Sequence, residues 1–160
     1  MLSGKLIHLI ESHWDTITTH ALGQIRKDPG LTHIGGLPEA ELRDWAQAIL
    51  RNLGRWMTQD NREELAQHYE AQGKLRFEEE VPLAEAVKGL CVLKHRIFDY
   101  VHEQGNARTP ADIYAEEEFE LLVGRFFDSL ICNLVRGYEA ALRHVARPDA
   151  GSEKARHAHR

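Results

Sequence analysis

An all-α domain is predicted from three observations. Apolar residues return every three or four positions through most of the chain, and no stretch alternates with the period of two that marks a strand. Prolines and capping residues stand where the periodic stretches begin. At 160 residues, 42% hydrophobic and 28% charged, the chain can bury a core without disulfides or metals. One helical domain is expected over residues 1–147, with a polar tail over 148–160 that is disordered or a linker.

The first helix is predicted from about Ser3 to Lys27, on the stripe Leu6, Ile10, Trp14, Ile17, Ala21 and Ile25. Asp28, Pro29 and Gly30 end it, and the stretch to Gly35 and Gly36 reads as a loop. Pro38 opens a second helix, with Glu39 and Glu41 favourable near its positive end and Leu42, Trp45, Ile49, Leu53 and Trp56 as its buried face. Asp60 followed by Glu63 has the spacing of a capping box for a short third helix, with Leu65, Tyr69 and His68 on one side and Gly73 as its end. Lys74 to Val81 has no clear period and reads as a connector. Pro82 opens a fourth helix carrying Leu83, Val87, Leu90, Cys91, Ile97, Phe98 and Val101, which stops at Gly105. Thr109, Pro110 and Asp112 begin a very long fifth helix, whose stripe of Phe119, Val123, Phe126, Phe127, Leu130, Leu134, Tyr138, Ala141 and Val145 runs to about Arg147. Four long helices and a short one can pack as a bundle or in the globin manner.

A formal net charge of -5 argues against a general nucleic-acid binder, although the tail from Arg147 carries four cations against two acids. The N-terminus interrupts its apolar residues with His8, Glu11 and His13, so it lacks a signal-peptide core, and no stretch reaches the length of a membrane span. A cytoplasmic protein is expected. Cys91 and Cys132 lie in helical patterns and read as buried small hydrophobes, with a redox pair as the alternative.

No nucleophile motif or phosphate-cradling loop is visible, so no catalytic residues are expected. His95, Asp99 and His102 share one helical face and have permissible spacing for a metal. That face lies opposite the apolar stripe, so it reads as solvated, and no metal or cofactor is expected. The same holds for the acidic runs Glu78 to Glu80 and Glu116 to Glu118. His68 is the one histidine placed near a core face, and it would be the ligand if haem were bound. Lys94 interrupts the row 87, 90, 94, 97, 101, and a structural ion pair to Asp128, Glu85 or another acid competes with contact to an anionic ligand or regulatory partner. Arg76 beside Phe77 is open to the same two readings. With Tyr69 these form the candidate ligand or signal pocket: Arg76, Phe77, Lys94 and Tyr69. Gly124 and Gly137 inside the fifth helix point to close helix crossings, within the core or across a dimer. Phe127, Leu130, Leu134, Tyr138 and Leu142 are the candidate dimer or transmission face.

The series Leu37 and Pro38, Leu42, Leu50, Leu53, Trp56, Gly73, Arg76 and Phe77, Pro82 and Leu83, Glu85, Leu93 and Lys94, Phe126 to Asp128, and Gly137 with Tyr138 resembles the N-terminal domain of RsbR/RsbRD-type proteins. These are co-antagonists of the bacterial stressosome, with related domains in sensor kinases and transcriptional regulators. The resemblance runs from Ile10 to about Leu142 and rests on order and spacing. It implies a globin-like, haem-free domain that dimerises and receives a signal for an output domain. No STAS, kinase or DNA-binding domain follows the fifth helix, so either an excised sensor domain or a stand-alone protein acting through a partner is expected. The rival readings are a haem-binding gas or redox sensor and a helical protein-protein adaptor.

Overall fold

The computed structural model describes residues 2–58, 60–104 and 109–147. The tail 148–160 and the expected stop at Gly105 lie outside the described residues. Within them are α1 (Leu2–Ser12), α2 (Trp14–Lys27), a 3-10 turn (Pro29–Leu31), α3 (Thr32–Gly35), α4 (Glu39–Leu50), α5 (Leu53–Thr58), α6 (Arg62–Glu78), α7 (Leu83–Gln104) and α8 (Pro110–Ala146), and no strand. The all-α expectation holds, and the helix order is compatible with a globin-like packing.

Local chemistry explains where the expected helices divide. The first helix breaks at His13, whose ring Nδ1 donates to the Leu9 carbonyl at 2.9 Å while its backbone N–H is shared between Leu9 and Ile10. The second breaks at Arg51 and Asn52, because the side chains of Asn52 and Trp56 both donate to the carbonyl of Ala48, at 3.2 Å each. The glycine-rich loop contains one turn of helix, α3. Its first N–H groups are satisfied from outside: Glu85 of α7, 8% exposed, accepts from His33 N at 2.9 Å and from Ile34 N at 3.4 Å. The capping box predicted for the long helix is present, Thr109 and Asp112 each accepting the other's backbone N–H. Asp60 plays no such part, since α6 is preceded by Asn61 without a side-chain cap.

The largest difference concerns Gly73 and the connector after it. α6 does not end at Gly73 but continues through Arg76 and Phe77 to Glu78. It ends in a Schellman arrangement: Val81 N–H reaches the Arg76 carbonyl, Glu80 N–H reaches the Phe77 carbonyl, and Glu80 has φ 60°. A left-handed Glu carries a steric cost that glycine does not, so Glu80→Gly is expected to raise the unfolding free energy by about 1 kcal/mol in urea denaturation. A loss of stability would show that the Glu80 side chain contributes more than its backbone strain removes.

α8 is the axis of the fold. It packs most extensively on α6, then on α7 and α1, while α2 joins α7 to α4. Phe119, Val123, Phe127, Leu130 and Leu134 are buried along it in the same core as Leu90, Leu93 and Ile97 of α7. At its crossing with α6, a Cβ on Gly73 would stand 2.0 Å from the Leu134 carbonyl oxygen, and a Cβ on Gly137 would stand 1.9 Å from that of Glu70. The two glycines let the backbones touch. Gly124 has open space around it and serves no such crossing within the chain.

Candidate functional site

α6 carries Leu65, Tyr69, Gly73 and Arg76 as its buried positions. Across from it, α4 carries Glu41 and Trp45 and packs on α2 instead. Between the two helices lies a cleft of about 510 Å³, lined by Pro38, Glu41, Trp45, His68, Tyr69 and Arg76 among others.

Arg76 is 2% exposed, and its Nη1 donates to Glu79 at 2.8 Å and to Glu41 at 3.1 Å. This ion pair joins α6 to α4. The two carboxylates converge on one nitrogen, so a protonated Glu41 can donate a hydrogen bond to Glu79, and this, together with burial, raises the Glu41 carboxyl above its ordinary value despite the opposing guanidinium. Arg76 Nη2 and the Tyr69 hydroxyl are both shut off from solvent, and neither has a hydrogen-bond partner among the described residues. An orphan of this kind costs about 1–3 kcal/mol. Burial also pushes the Tyr69 phenol well above its usual range, so it keeps its proton.

Of the four residues expected to form a pocket, the structure brings Tyr69 and Arg76 together and separates the others. Phe77 is turned to the far side of α6, with its ring edge-on to Tyr138 at 5.5 Å. Lys94 is half-buried on α7 and pairs with no acid among the described residues. Glu85, one of its expected partners, is held by His33, whose Nδ1 lies 2.6 Å from Glu85 Oε2. His68 does line the cleft, stacked on Trp56 at 6.1 Å and edge-on to Tyr69 at 4.9 Å. Glu41, Trp45 and Glu79 complete the site without a mark of it in the sequence. Glu79 sat in an acidic run that reads as solvated, and only its i, i+3 spacing from Arg76 hinted at a pair.

The face expected to meet a partner is divided. Phe127, Leu130 and Leu134 are 2% exposed or less and belong to the chain's own core, so they are not surface positions. Tyr138 is half-buried and its hydroxyl donates to the Val81 carbonyl at 2.8 Å. Leu142, 52% exposed, and Val145, 60% exposed, stand where α8 runs on past the core. Cys132 is exposed and Cys91 half-buried, so neither is the fully buried hydrophobe that was expected.

On α7, His95 Nδ1 donates to the Cys91 carbonyl at 2.7 Å, Asp99 stands 4.0 Å from Arg96, and His102 lies 3.1 Å from Glu120. Among the described residues no three His, Cys, Asp or Glu side chains are placed to hold a metal, and no helix is long and apolar enough to cross a membrane.

Residues 15–151 match the family described as the RsbT co-antagonist protein rsbRD N-terminal domain. No curated protein and no solved structure matches the chain.

Proposed function

The chain belongs to the family of RsbT co-antagonist protein rsbRD N-terminal domains, and from that premise we propose that it is a non-enzymatic signalling domain of the stressosome type. In this reading it is a cytoplasmic homodimer without a cofactor. It perceives a signal in the cleft between α4 and α6 and passes it along α8 to a protein partner or output domain.

One observation carries the reading: the helix that lines the cleft is also the helix locked to α8. With Gly73 set against the backbone of Leu134 and Tyr138, and Gly137 against that of Glu70, α6 cannot shift without moving α8 or breaking the crossing. α4 is packed on α2 and reaches α6 through the Arg76 to Glu41 ion pair. A molecule that enters the cleft therefore acts between two packing units, and it signals to the extent that it prefers one spacing of them over another. The buried polar groups of the cleft, the Arg76 ion pair and the two unpaired hydrogen-bond donors, suit holding a molecule more than activating a nucleophile. Downstream, Leu142 and Val145 supply exposed apolar surface for a partner at the end of α8.

Native mass spectrometry of the purified chain, with an absorption spectrum of the same sample, tests this reading. The expected result is a mass of two chains with no added group, reduced to one chain by Leu142→Glu combined with Val145→Glu. A chain that stays monomeric at every concentration, or a Soret band that disappears in His68→Ala, would overturn it in favour of a monomeric adaptor or a haem sensor.

A further inference from the structure

We propose that the cleft between α4 and α6 binds an uncharged small molecule with a flat apolar body and a carbonyl-type acceptor oxygen, which takes the hydrogen bonds left unmade by Tyr69 Oη and Arg76 Nη2. The proposal rests on the reading of this cleft as the place where the signal enters.

The demand for an acceptor follows from the two orphan atoms. A guanidinium nitrogen can only donate, and the Tyr69 phenol keeps its proton in this buried setting. Both residues are nine-tenths buried or more, and both line the same cleft, from positions 69 and 76 two turns apart on α6. Nothing among the described residues supplies an acceptor to either atom, so an entering oxygen would meet donors that make no competing bond.

Charge excludes the obvious alternative for a site containing arginine. Glu41 and Glu79 already face the Arg76 guanidinium, and the exposed Asp44 adds a further acid at the cleft wall. An anion would enter a region in which the one buried cation is already matched, and it would be repelled by the acids that match it. An ammonium group suits the acids but has no lone pair to offer the two donors. An uncharged carbonyl compound meets both conditions.

The remaining wall sets the body of the ligand. Pro38, Trp45, Ala48 and Leu75 present apolar or flat surface, with the His68 ring beside them. A volume of about 510 Å³ is enough for a small molecule. Since both donor atoms are closed to solvent, pairing with them requires α4 and α6 to part slightly. The ligand thereby favours the wider spacing, which is the difference in affinity that signalling requires.

The experiment is an NMR titration of the ¹⁵N-labelled full chain with benzamide, benzoate and benzylamine, three probes of similar body that differ in charge. Benzamide is expected to shift the Trp45 indole and the backbone signals of residues 68–76, and to bind at least about tenfold more tightly than either charged analogue. Tyr69→Phe removes only an unpaired hydroxyl, so it is expected to fold and to weaken benzamide by about fivefold. Equal or tighter binding of benzoate or benzylamine, no response at Trp45 to any probe, or unchanged affinity in Tyr69→Phe would overturn the ligand class. Shifts at Trp45 that stop short of Tyr138 on α8 would uphold the ligand class and overturn the transmission route, so the two failures are told apart.

Discussion

Gly137→Ala is expected to lower the unfolding free energy by about 3 kcal/mol, at the upper end of overpacking effects, whereas Gly124→Ala in the same helix is expected to raise it by about 0.5–1 kcal/mol. The opposite signs come from surroundings alone. At Gly137 the added carbon falls 1.9 Å from a carbonyl oxygen of α6, and backbone cannot rotate aside as a side chain would. At Gly124 nothing lies within 4 Å, so the methyl group only removes freedom from the unfolded chain. Gly73→Ala should match Gly137→Ala, since its carbon meets Leu134 from the other side of the same crossing. The double variant should then cost less than the sum of the two, because one separation of the helices relieves both clashes. Chemical denaturation of the four variants decides it, and a neutral Gly137→Ala would mean that α6 and α8 are not locked together.

Arg76→Met is expected to destabilise the chain by about 3 kcal/mol at neutral pH, the scale of breaking a buried ion pair by removing one partner. Methionine fills much of the volume and leaves Glu41 and Glu79 facing each other with no cation between them. The loss should shrink in Arg76→Met combined with Glu41→Gln, which removes one of the stranded charges, and an undiminished loss there would assign the effect to packing. The same cluster sets a pH dependence. Glu41 has a folded carboxyl raised above its unfolded value, so the stability it contributes is fully present below the unfolded value of about 4.5 and is lost as pH rises through the folded one. Asp28, held down first by the Gly30 N–H and also by Lys88, works the other way: its contribution is present above the unfolded value of about 3.8 and is lost as pH falls. A stability profile across the acid range should therefore fall on its high-pH side in the wild type, and Glu41→Gln should remove that fall. An unchanged fall in the variant would move its cause away from this carboxyl.

Helix identity was legible wherever a local signal and a periodic stripe agreed. Thr109, Pro110 and Asp112 announced the start of α8, and Phe119 to Leu134 its buried face, because a cap and a 3.6-residue period are both written in neighbouring residues. The breaks at His13 and Asn52 were not legible, since they depend on which side chain wins a particular carbonyl. Half of the candidate site was visible. Tyr69 and Arg76 were conspicuous by type, while Glu41 and Trp45 belong to a helix some 30 residues away in the chain, and nothing local ties them to α6.

Gly73 shows where the boundary falls. A glycine after a short periodic run and before a polar stretch reads as a helix end, and the true end, a left-handed Glu80, carries no such mark. By itself the sequence determined that the chain is all-α, where most of its helices lie, and to which family it belongs, because these follow from short-range periodicity, capping and the order of many residues. The tertiary structure alone decided that Gly73 and Gly137 are two sides of one crossing, that Arg76 clasps α4 rather than sitting in a connector, and that two buried donors are left unmatched beside a cleft. Those outcomes depend on which backbones come within touching distance, and that distance is set by residues far apart in the chain.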